Sequence, residues 1–282
     1  MDNKMKRKLA LVFALIMAIS LLAACGGNTD GERTVLRVGM ECAYAPYNWS
    51  QPTDANGAVP IAGSNDFAFG YDVMMAKFIA DHLGYELEIH MIDWDSLPLA
   101  VQSGAIDLEI AGRSITAERQ MSFDFSTPYY FASIVSLVRA DGPFASATDI
   151  SGLSGATATS QLNTVWYDVA LPQVPNVNML PAMESAPAML VALTSGAVEL
   201  VVTDMPTAMA AISVYPELKL LDFTESNGNF TVSDEEINIG MMVQKGNTDL
   251  LRRVNEALST LTVADFERKM KEAISVQPLA VD

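Results

Sequence analysis

The chemistry that this sequence supports is concentrated in a few charged side chains. Arg119 follows a predicted strand end, and its permanently charged guanidinium can hold a carboxylate with two parallel N–H donors, unless it lies on the surface of a helix. His82 and His90 are the only histidines, and neither a Cys/His cluster nor a serine–histidine–acid set is evident. A phosphate-binding Gly-x-x-x-x-Gly-Lys loop is also absent. We therefore expect a side chain that can bind a carboxylate, no metal and no cofactor.

Composition indicates a globular and acidic protein. The 282 residues are 50% hydrophobic and 18% charged, which is typical of one large domain or two smaller ones. Lys and Arg number 17 against 34 Asp and Glu, so the formal net charge is −17. A chain with this charge repels phosphate backbones, and no basic stripe opposes the repulsion, so nucleic acid is excluded as a partner. The acidity otherwise indicates a well-solvated surface.

The N-terminal segment has the pattern of a processing signal. A basic head at 1–8 precedes an uninterrupted small and apolar run at 9–24, which is too short for a typical membrane span. Small residues before Cys25 and a polar stretch after it resemble a bacterial lipoprotein signal. The resemblance implies cleavage of 1–24, lipid on Cys25 and a flexible tether at 25–33, anchoring the protein on the extracytoplasmic face of the membrane. The alternative is an ordinary signal peptide with an incidental cysteine.

Predicted strands and helices alternate along the rest of the chain, which favours parallel sheets with helical crossovers. Only Cys42 remains there, so the fold must be stabilised by core burial rather than by an intramolecular disulfide. Residues 51–65 are predicted to form a surface loop. The predicted strands are Val35–Met40, Glu86–Met91, 106–111, 133–139, 176–180, 198–203, 218–223 and 237–243, and the predicted helices are Tyr71–Leu83, 95–103, 164–171, 185–195, 207–214, 248–261 and 263–275.

A short pattern occurs twice and indicates two equivalent halves. A helix followed by Ser-Gly-Ala-Ile-Asp-Leu at 103–108 has a counterpart followed by Ser-Gly-Ala-Val-Glu-Leu at 195–200. We interpret these as matching strand–helix units in two α/β lobes. Ligands of open α/β sheets bind beyond the carboxyl ends of the strands, so the expected site is a cleft between the lobes.

Several motifs together resemble the polar amino-acid-binding proteins of bacterial ABC importers. They are Gly-Arg-Ser-Ile-Thr-Ala-Glu-Arg at 112–119, Phe-Asp-Phe-Ser-Thr-Pro-Tyr-Tyr at 123–130, Tyr-Ala-Pro-Tyr at 44–47, Phe-Gly-Tyr-Asp-Val at 69–73 and Gln-Ser-Gly-Ala-Ile-Asp at 102–107. The resemblance implies an α/β, two-lobed type II periplasmic-binding-protein fold, with a ligand cleft between lobes joined by two crossing strands. It places lobe 1 at 34–132 plus 236–282 and lobe 2 at 133–235.

The same resemblance assigns the groups that hold the amino-acid backbone. Arg119 and the Ser114 hydroxyl correspond to ligands of the carboxylate. Thr164 corresponds to a residue at a helix amino end, where free N–H groups favour an anion, although it can also be a plain N-cap. Asp204, at the end of the strand at 198–203, and the carbonyl of Gly112 correspond to acceptors of the ammonium. The alternative for Asp204 is an N-cap of the following helix.

Aromatic and acidic residues are assigned to the ligand side chain. Tyr44 and Trp94 correspond to aromatics that sandwich it, and both Lys- or Arg-like and flat polar side chains suit such faces. Either residue can instead belong to the core. Glu41 lies where binders of basic amino acids carry an acid for the distal charge, or else it faces water.

Four residues depart from the family pattern. Asn163 and Val165 replace the usual glycine–threonine arrangement; Asn tolerates the left-handed backbone region, whereas Val cannot donate a hydroxyl. Arg113 replaces an apolar residue and adds positive charge beside the carboxylate site. Glu109 interrupts an apolar strand, where it is expected at an exposed edge or rim.

The function implied is capture of a polar amino acid for delivery to an ABC permease with its ATPase subunit, by a monomeric lipid-anchored receptor whose lobes close on the ligand. An amino-acid-sensing lipoprotein without transport is an alternative. A second alternative is an enzyme similar to the cyclohexadienyl dehydratases, for which Glu41 is the candidate general acid.

Overall fold

The computed structural model describes residues 34–278, and the predicted signal sequence, Cys25 and tether lie outside these residues. Strands are numbered along the chain as β1 Val35–Met40, β2 Ala43–Tyr44, β3 Asn48–Gln51, β4 Val59–Pro60, β5 Phe67–Phe69, β6 Glu86–Met91, β7 Leu108–Glu109, β8 Phe123–Phe125, β9 Tyr130–Phe131, β10 Ile134–Arg139, β11 Thr157–Thr159, β12 Asn178–Met179, β13 Leu200–Asp204, β14 Leu218–Leu221, β15 Asn238–Ile239 and β16 Met242–Gln244. The α-helices are α1 Tyr71–Leu83, α2 Leu97–Ser103, α3 Ala117–Ser122, α4 Ala186–Thr194, α5 Met205–Val214, α6 Asp234–Ile237, α7 Thr248–Leu258 and α8 Val263–Val276.

The first sheet has five strands in the order β6–β1–β7–β16–β8. Strand β1 is parallel to β6 and β7, whereas β16 is antiparallel to β7 and β8. Helix α1 precedes β6 and buries Val73, Ala76 and Ile79, the face predicted from helical spacing. It ends where Gly84 adopts φ 70°, a left-handed conformation that glycine reaches without steric cost.

The second sheet repeats this architecture with the order β12–β11–β13–β10–β14. Strand β11 is parallel to β12 and β13, and β10 is antiparallel to β13 and β14. Helix α4 begins at a Ser185 N-cap whose side chain accepts a hydrogen bond from the Ala188 amide. Strand β13 leads directly into α5, so its last residue, Asp204, stands at a sheet edge and a helix start at once.

A two-stranded antiparallel ribbon of β9 and β15 marks the crossings between the sheets. The chain leaves the first sheet after β8, passes through β9 to the second sheet, and returns through β15 to β16. This path has the two crossing strands that the family resemblance implies. The lobe boundaries at 132/133 and 235/236 stay predictions.

Five regions differ from the sequence-based expectations. The predicted surface loop at 51–65 contributes to a four-stranded antiparallel sheet of order β2–β3–β5–β4, in which Trp49 and Phe69 pack edge to face with ring centroids 5.4 Å apart. The predicted helix at 164–171 is a π-helical turn, Trp166–Ala170, followed by a 3-10 turn. Strands predicted at 106–111 and 176–180 each shorten to two paired residues, and α3 was not predicted.

Between Thr34 and Pro278, no helix combines the length and apolar character needed to cross a bilayer. Cys42 is a free, buried cysteine, consistent with a fold stabilised by its core.

The tight packing beneath β1 gives a test of the first sheet. A Cβ at Gly39 would lie 2.4 Å from Ile106 Cδ1 and 3.0 Å from Leu97 Cδ2. Gly39→Ala is therefore expected to lower the free energy of unfolding by about 1–3 kcal/mol through overpacking. Adding Ile106→Val removes Cδ1 and relieves the contact. In denaturant unfolding, the double variant should therefore lose at least about 0.5 kcal/mol less than the sum of the losses in the two single variants. Strictly additive losses would contradict this packing.

Candidate ligand-binding site

One small cavity brings together side chains from both sheets. Six of the eight residues predicted for the site line it, together with three that the sequence analysis did not select. The lining residues are Tyr44, Trp94, Gly112, Ser114, Arg119, Gln161, Thr164, Val165 and Trp166. A larger groove nearby, lined by Cys42, Trp49, Leu190 and residues of α5 among others, contains no charged side chain. The small cavity is the candidate site for a charged ligand because it combines the cationic Arg119 with five other predicted site residues.

Arg119 supplies the cationic group of the cavity. It lies on α3, where the Thr116 side chain caps the helix by accepting a hydrogen bond from the Arg119 amide. Its Nη1 donates to the Ser114 carbonyl at 2.9 Å, and its Nη2 donates to the Asn163 carbonyl at 2.7 Å on the opposite side of the cavity. Although part of the side chain reaches solvent, burial of the guanidinium lowers its pKa to about 10. Arg119 thus remains charged at neutral pH and faces the cavity rather than acting as a surface arginine.

Asp204 is buried behind Tyr44 and does not itself line the cavity. Its Oδ1 accepts a hydrogen bond from the Thr207 amide at 2.8 Å, which makes it the N-cap of α5. Its Oδ2 accepts a hydrogen bond from the Tyr44 hydroxyl at 2.8 Å. Burial raises the pKa of this carboxyl, and the bonds from Thr207 and Tyr44 oppose the shift. The N-cap alternative is confirmed, and binding of an ammonium stays a prediction that would require the tyrosine hydroxyl to move.

Tyr44 is fixed by close packing on both sides. Its ring stacks on Tyr47, with centroids 4.6 Å apart and planes inclined by 17°. On another side it packs against Trp166, with ring centroids 6.1 Å apart. Gly112 has φ 65°, and a Cβ there would lie 2.7 Å from Tyr44 Cε1. Glycine at this position therefore satisfies both the backbone conformation and the approach of the tyrosine ring.

Trp94 joins the two sides of the cleft. Its Nε1 donates to the Leu162 carbonyl at 2.9 Å. The Arg113 guanidinium lies over its ring, 3.6 Å from the centroid, and pairs with Glu109. Glu109 is completely buried, so the expectation that it occupies an exposed edge was wrong: the sheet buries it, and Arg113 supplies its counter-charge.

Glu41 lies next to the cavity rather than in it. It is buried, and each of its oxygens lies 3.4 Å from Gln161 Nε2. Burial raises the pKa of its carboxyl to about 7, although the Gln161 bond and the positive charge of Arg113 oppose this. Glu41 lines a neighbouring cavity of about 490 Å³ that also contacts Asp93, Asp95 and Glu184. It is therefore not simply a carboxylate facing open water.

Thr164 lines the cavity, but its setting differs from the predicted helix end. Its hydroxyl donates to the Gln161 carbonyl at 2.6 Å and accepts from the Tyr167 amide at 3.4 Å. A π-helical turn of five residues follows, so a full helix dipole does not act here. Asn163 adopts φ 54°, the left-handed conformation that the sequence analysis allowed for it.

A buried hydrogen-bond network behind the cavity connects the loop that carries Tyr44 to the loop that carries Gly112. Asp72 accepts hydrogen bonds from Asn48 Nδ2 at 2.7 Å and from the Tyr129 hydroxyl at 2.6 Å. The same Asn48 accepts from the Cys42 amide, and the Tyr129 oxygen accepts from the Gly112 amide. Burial raises the pKa of Asp72 to about 7, opposed by the bonds from Tyr129 and Asn48.

Gln161 and Trp166 are lining residues that sequence reasoning missed, and Val165 was noted only as a departure from the family pattern. Both missed residues lie close to Thr164 in the sequence, on the segment that follows β11. The prediction that Thr164 lies at the cleft therefore also indicated its neighbours. Within residues 34–278, no group of three or more His, Cys, Asp and Glu side chains is arranged to hold a metal ion.

The cavity is closed too tightly to hold an amino acid in this conformation. Its volume is about 10 Å³, comparable to the space that one water molecule needs. Hydrogen bonds across the cleft, including those of Arg119 to Asn163 and of Tyr44 to Asp204, hold the two sides together. Any larger ligand must therefore enter when these sides separate.

Comparison with known proteins agrees with this architecture. Residues 36–271 match the model of the bacterial extracellular solute-binding proteins, family 3. The chain is 25% identical over 260 residues to the L-cystine-binding protein TcyJ of Escherichia coli, covering 87% of this chain and 88% of that protein. It is 30% identical over 164 residues to the arginine-binding extracellular protein ArtP of Bacillus subtilis, covering 57% and 58%. A solved amino acid ABC transporter substrate-binding protein from Streptococcus pneumoniae, bound to L-arginine, has 26% identity and a TM-score of 0.73, covering 86% of this chain and 94% of that one.

The chain belongs to the bacterial extracellular solute-binding proteins, family 3, because that family's model matches most of its length. Its fold is the two-lobed periplasmic-binding-protein fold that the sequence predicts. It is an extracytoplasmic solute-binding protein of the amino-acid-binding ABC-importer class, and its relatives are solute-binding proteins rather than enzymes.

Gly112→Ala is expected to weaken ligand binding by displacing Tyr44. Gly104→Ala is the matched control, because Gly104 has φ 73° but no atom within 4 Å of the added Cβ. Gly104→Ala should lose about 1–2 kcal/mol of stability through the left-handed backbone. Gly112→Ala should lose more, because its Cβ also meets the Tyr44 ring. Only Gly112→Ala should also lower amino-acid affinity, measured by calorimetry; equal affinities in the two variants would show that the Tyr44 approach is unimportant.

The raised pKa of Asp72 predicts a pH-dependent stability. The folded protein keeps a proton on this carboxyl up to about pH 7, whereas an unfolded Asp loses it at about pH 4. Its contribution is fully present below about pH 4 and is lost as the pH rises through about 7. Glu41, Glu109 and Asp204 shift in the same direction.

Denaturant unfolding between pH 4 and pH 7.5 tests this contribution. As the pH rises over that range, the free energy of unfolding of Asp72→Asn should fall by at least about 1 kcal/mol less than that of the wild type. The exposed Asp66→Asn variant is the control and should follow the wild type. Parallel curves for Asp72→Asn and the wild type would show that Asp72 titrates alike in the folded and unfolded states.

Proposed function

We propose that the protein captures a free polar amino acid between its two lobes and delivers it to an ABC permease powered by an ATPase subunit. The observation that carries this proposal is the Arg119 guanidinium, which lines the cavity and bonds to carbonyl oxygens on both of its sides. Neutral carbonyl groups are weaker partners for a guanidinium than a carboxylate, which accepts two parallel charge-assisted bonds. A ligand carboxylate therefore has a favourable place to bind.

The ammonium end of the ligand goes to Asp204 in this proposal. The Tyr44 hydroxyl now bonds to Asp204 Oδ2, and an ammonium taking its place would exchange a neutral donor for a charged one. The Gly112 carbonyl is the second acceptor, and the Ser114 hydroxyl joins Arg119 on the carboxylate. Thr164 completes the site from the opposite side.

Closure follows from the placement of these groups on both sides of the cleft. An amino acid that contacts Arg119 and Asp204 together stabilises the closed arrangement more than the open one. This differential affinity shifts the equilibrium from the open to the closed conformation. The closed surface is then available for recognition by the permease. Lipid on Cys25 keeps this monomeric receptor at the extracytoplasmic face of the membrane.

The ligand side chain extends between Tyr44 and Trp94, towards Glu41. A buried carboxyl whose pKa is about 7 would gain its full charge beside a cationic group, which supports a basic amino acid. The similar proteins named for cystine and arginine support a polar ligand of this size.

A thermal-shift screen against the twenty amino acids, ornithine and cystine tests this function on the protein lacking residues 1–25. An amino acid at a hundred times its dissociation constant should add about 2.7 kcal/mol of stability. Arg119→Ala should abolish the shift, because loss of one member of a buried charge pair costs about 2–5 kcal/mol of affinity. Arg252→Ala, which changes an exposed arginine of α7, should retain it.

A flat response from well-folded protein to every amino acid would overturn the proposal. One observation then favours the dehydratase alternative: Glu41, with a pKa near 7, is suited to general acid catalysis beside the cleft. Release of phenylpyruvate from prephenate, lost in Glu41→Gln, would establish that activity.

A further inference from the structure

Arg113 and Glu109 form a buried ion pair that the proposed ligand contacts do not use. Their exposed fractions are 4% and 0%, and Arg113 Nε donates to Glu109 Oε1. Neither residue lines the cavity of Tyr44, Trp94 and Arg119. A pair of charges in this position stabilises a fold only weakly, because desolvation offsets much of the attraction. Its contacts with Trp94 indicate a more specific role.

Arg113 holds the Trp94 indole from one side. Its Cζ lies 3.6 Å from the ring centroid, and its Nη2 donates to the Trp94 carbonyl at 3.2 Å. A guanidinium over a desolvated indole gives a strong cation–π contact, and its planar group can stack while it donates hydrogen bonds. The indole Nε1 is meanwhile bonded to the Leu162 carbonyl. These three contacts fix both the plane and the rotation of the ring.

Glu109 makes this arrangement rigid. It belongs to β7 and lies opposite Gly39 of β1, so its backbone is held by the first sheet. Its Oε1 bonds to Arg113, while within the described residues its buried Oε2 has no hydrogen-bond partner. Arg113 is therefore tied to a sheet strand at one end of its guanidinium and to Trp94 at the other.

We propose that Arg113, held by Glu109, is a positioning residue that fixes Trp94 as a wall for the ligand side chain and so sets affinity for amino acids whose side chains reach it. This rests on the proposed function. With a cation on one face, the indole is a poorer acceptor for a second cation, so the wall suits the uncharged part of a side chain, such as methylenes or a disulfide.

Fluorine NMR of protein labelled with 5-fluorotryptophan tests the positioning directly, without added amino acid. The chain has three tryptophans, and Trp94→Phe assigns the Trp94 resonance. The principal variant is Glu109→Gln with Arg113→Met, which removes the pair without leaving a buried charge unpaired. Arg37→Met is the matched control, because Arg37 also pairs with an acid, Asp107, on the same sheet. We expect the Trp94 resonance to shift or broaden in the double variant and to stay unchanged in Arg37→Met.

Calorimetry with L-arginine, L-cystine and L-alanine links the wall to binding. The double variant should lose about tenfold in affinity for whichever longer amino acid binds, and little for alanine, whose side chain stops short of the wall. An unchanged Trp94 resonance overturns the positioning role, as does an equal change in Arg37→Met. A changed resonance with unchanged affinity overturns the link to binding. If the wild type binds none of the three, the proposed function fails for these probes, and the fluorine spectra still decide the positioning of Trp94.

Discussion

Two opposite charges approach one cavity from different sides, and each is satisfied partly from across the cleft. Arg119 bonds to Ser114 on its own side and to Asn163 on the other, and Asp204 bonds to Thr207 on its own side and to Tyr44 on the other. A buried charge without partners is expensive, so the closed protein must supply these bonds itself. A zwitterion carries the two groups that can replace the cross-cleft partners. In the proposed function, its binding is therefore an exchange of hydrogen bonds, in which neutral partners give way to charged ones.

The sheets matter because they hold these groups at fixed positions. Asp204 ends β13 and starts α5, so its carboxylate is set by a buried strand and by its own cap bond to Thr207. Arg119 is presented by a short helix whose amino end is fixed by Thr116. Behind both, Asp72 connects the loops that carry Tyr44 and Gly112 through neutral donors. The groups on each side of the site are consequently fixed to their own sheet, which is the condition for the lobe closure proposed above.

The sequence predicts the long elements and the polar centre of the site better than its edges. Periodicity and Gly84 define α1, whereas a five-residue π-turn at 166–170 has no period that distinguishes it from an α-helix. Family motifs place Arg119 correctly in the cavity. They do not show that Glu41 is set apart from it, because the intervening Cys42 takes φ 54° and redirects the chain, an unusual conformation for a residue other than glycine. Glu109 was misjudged because its partner, Arg113, lies on a loop whose path the sequence alone does not define.

Asn163 shows how a departure from the family pattern acquires a physical consequence. Its left-handed conformation presents its carbonyl to Arg119, and its side-chain amide donates to Asp95 across the cleft. A glycine would provide the turn without the second bond. The asparagine therefore stabilises the closed arrangement by an interaction that involves no ligand. Because the unliganded closed arrangement leaves no room for an amino acid, such a contact raises the population of a state that cannot admit the ligand. The apparent affinity then falls with the fraction of molecules that are open.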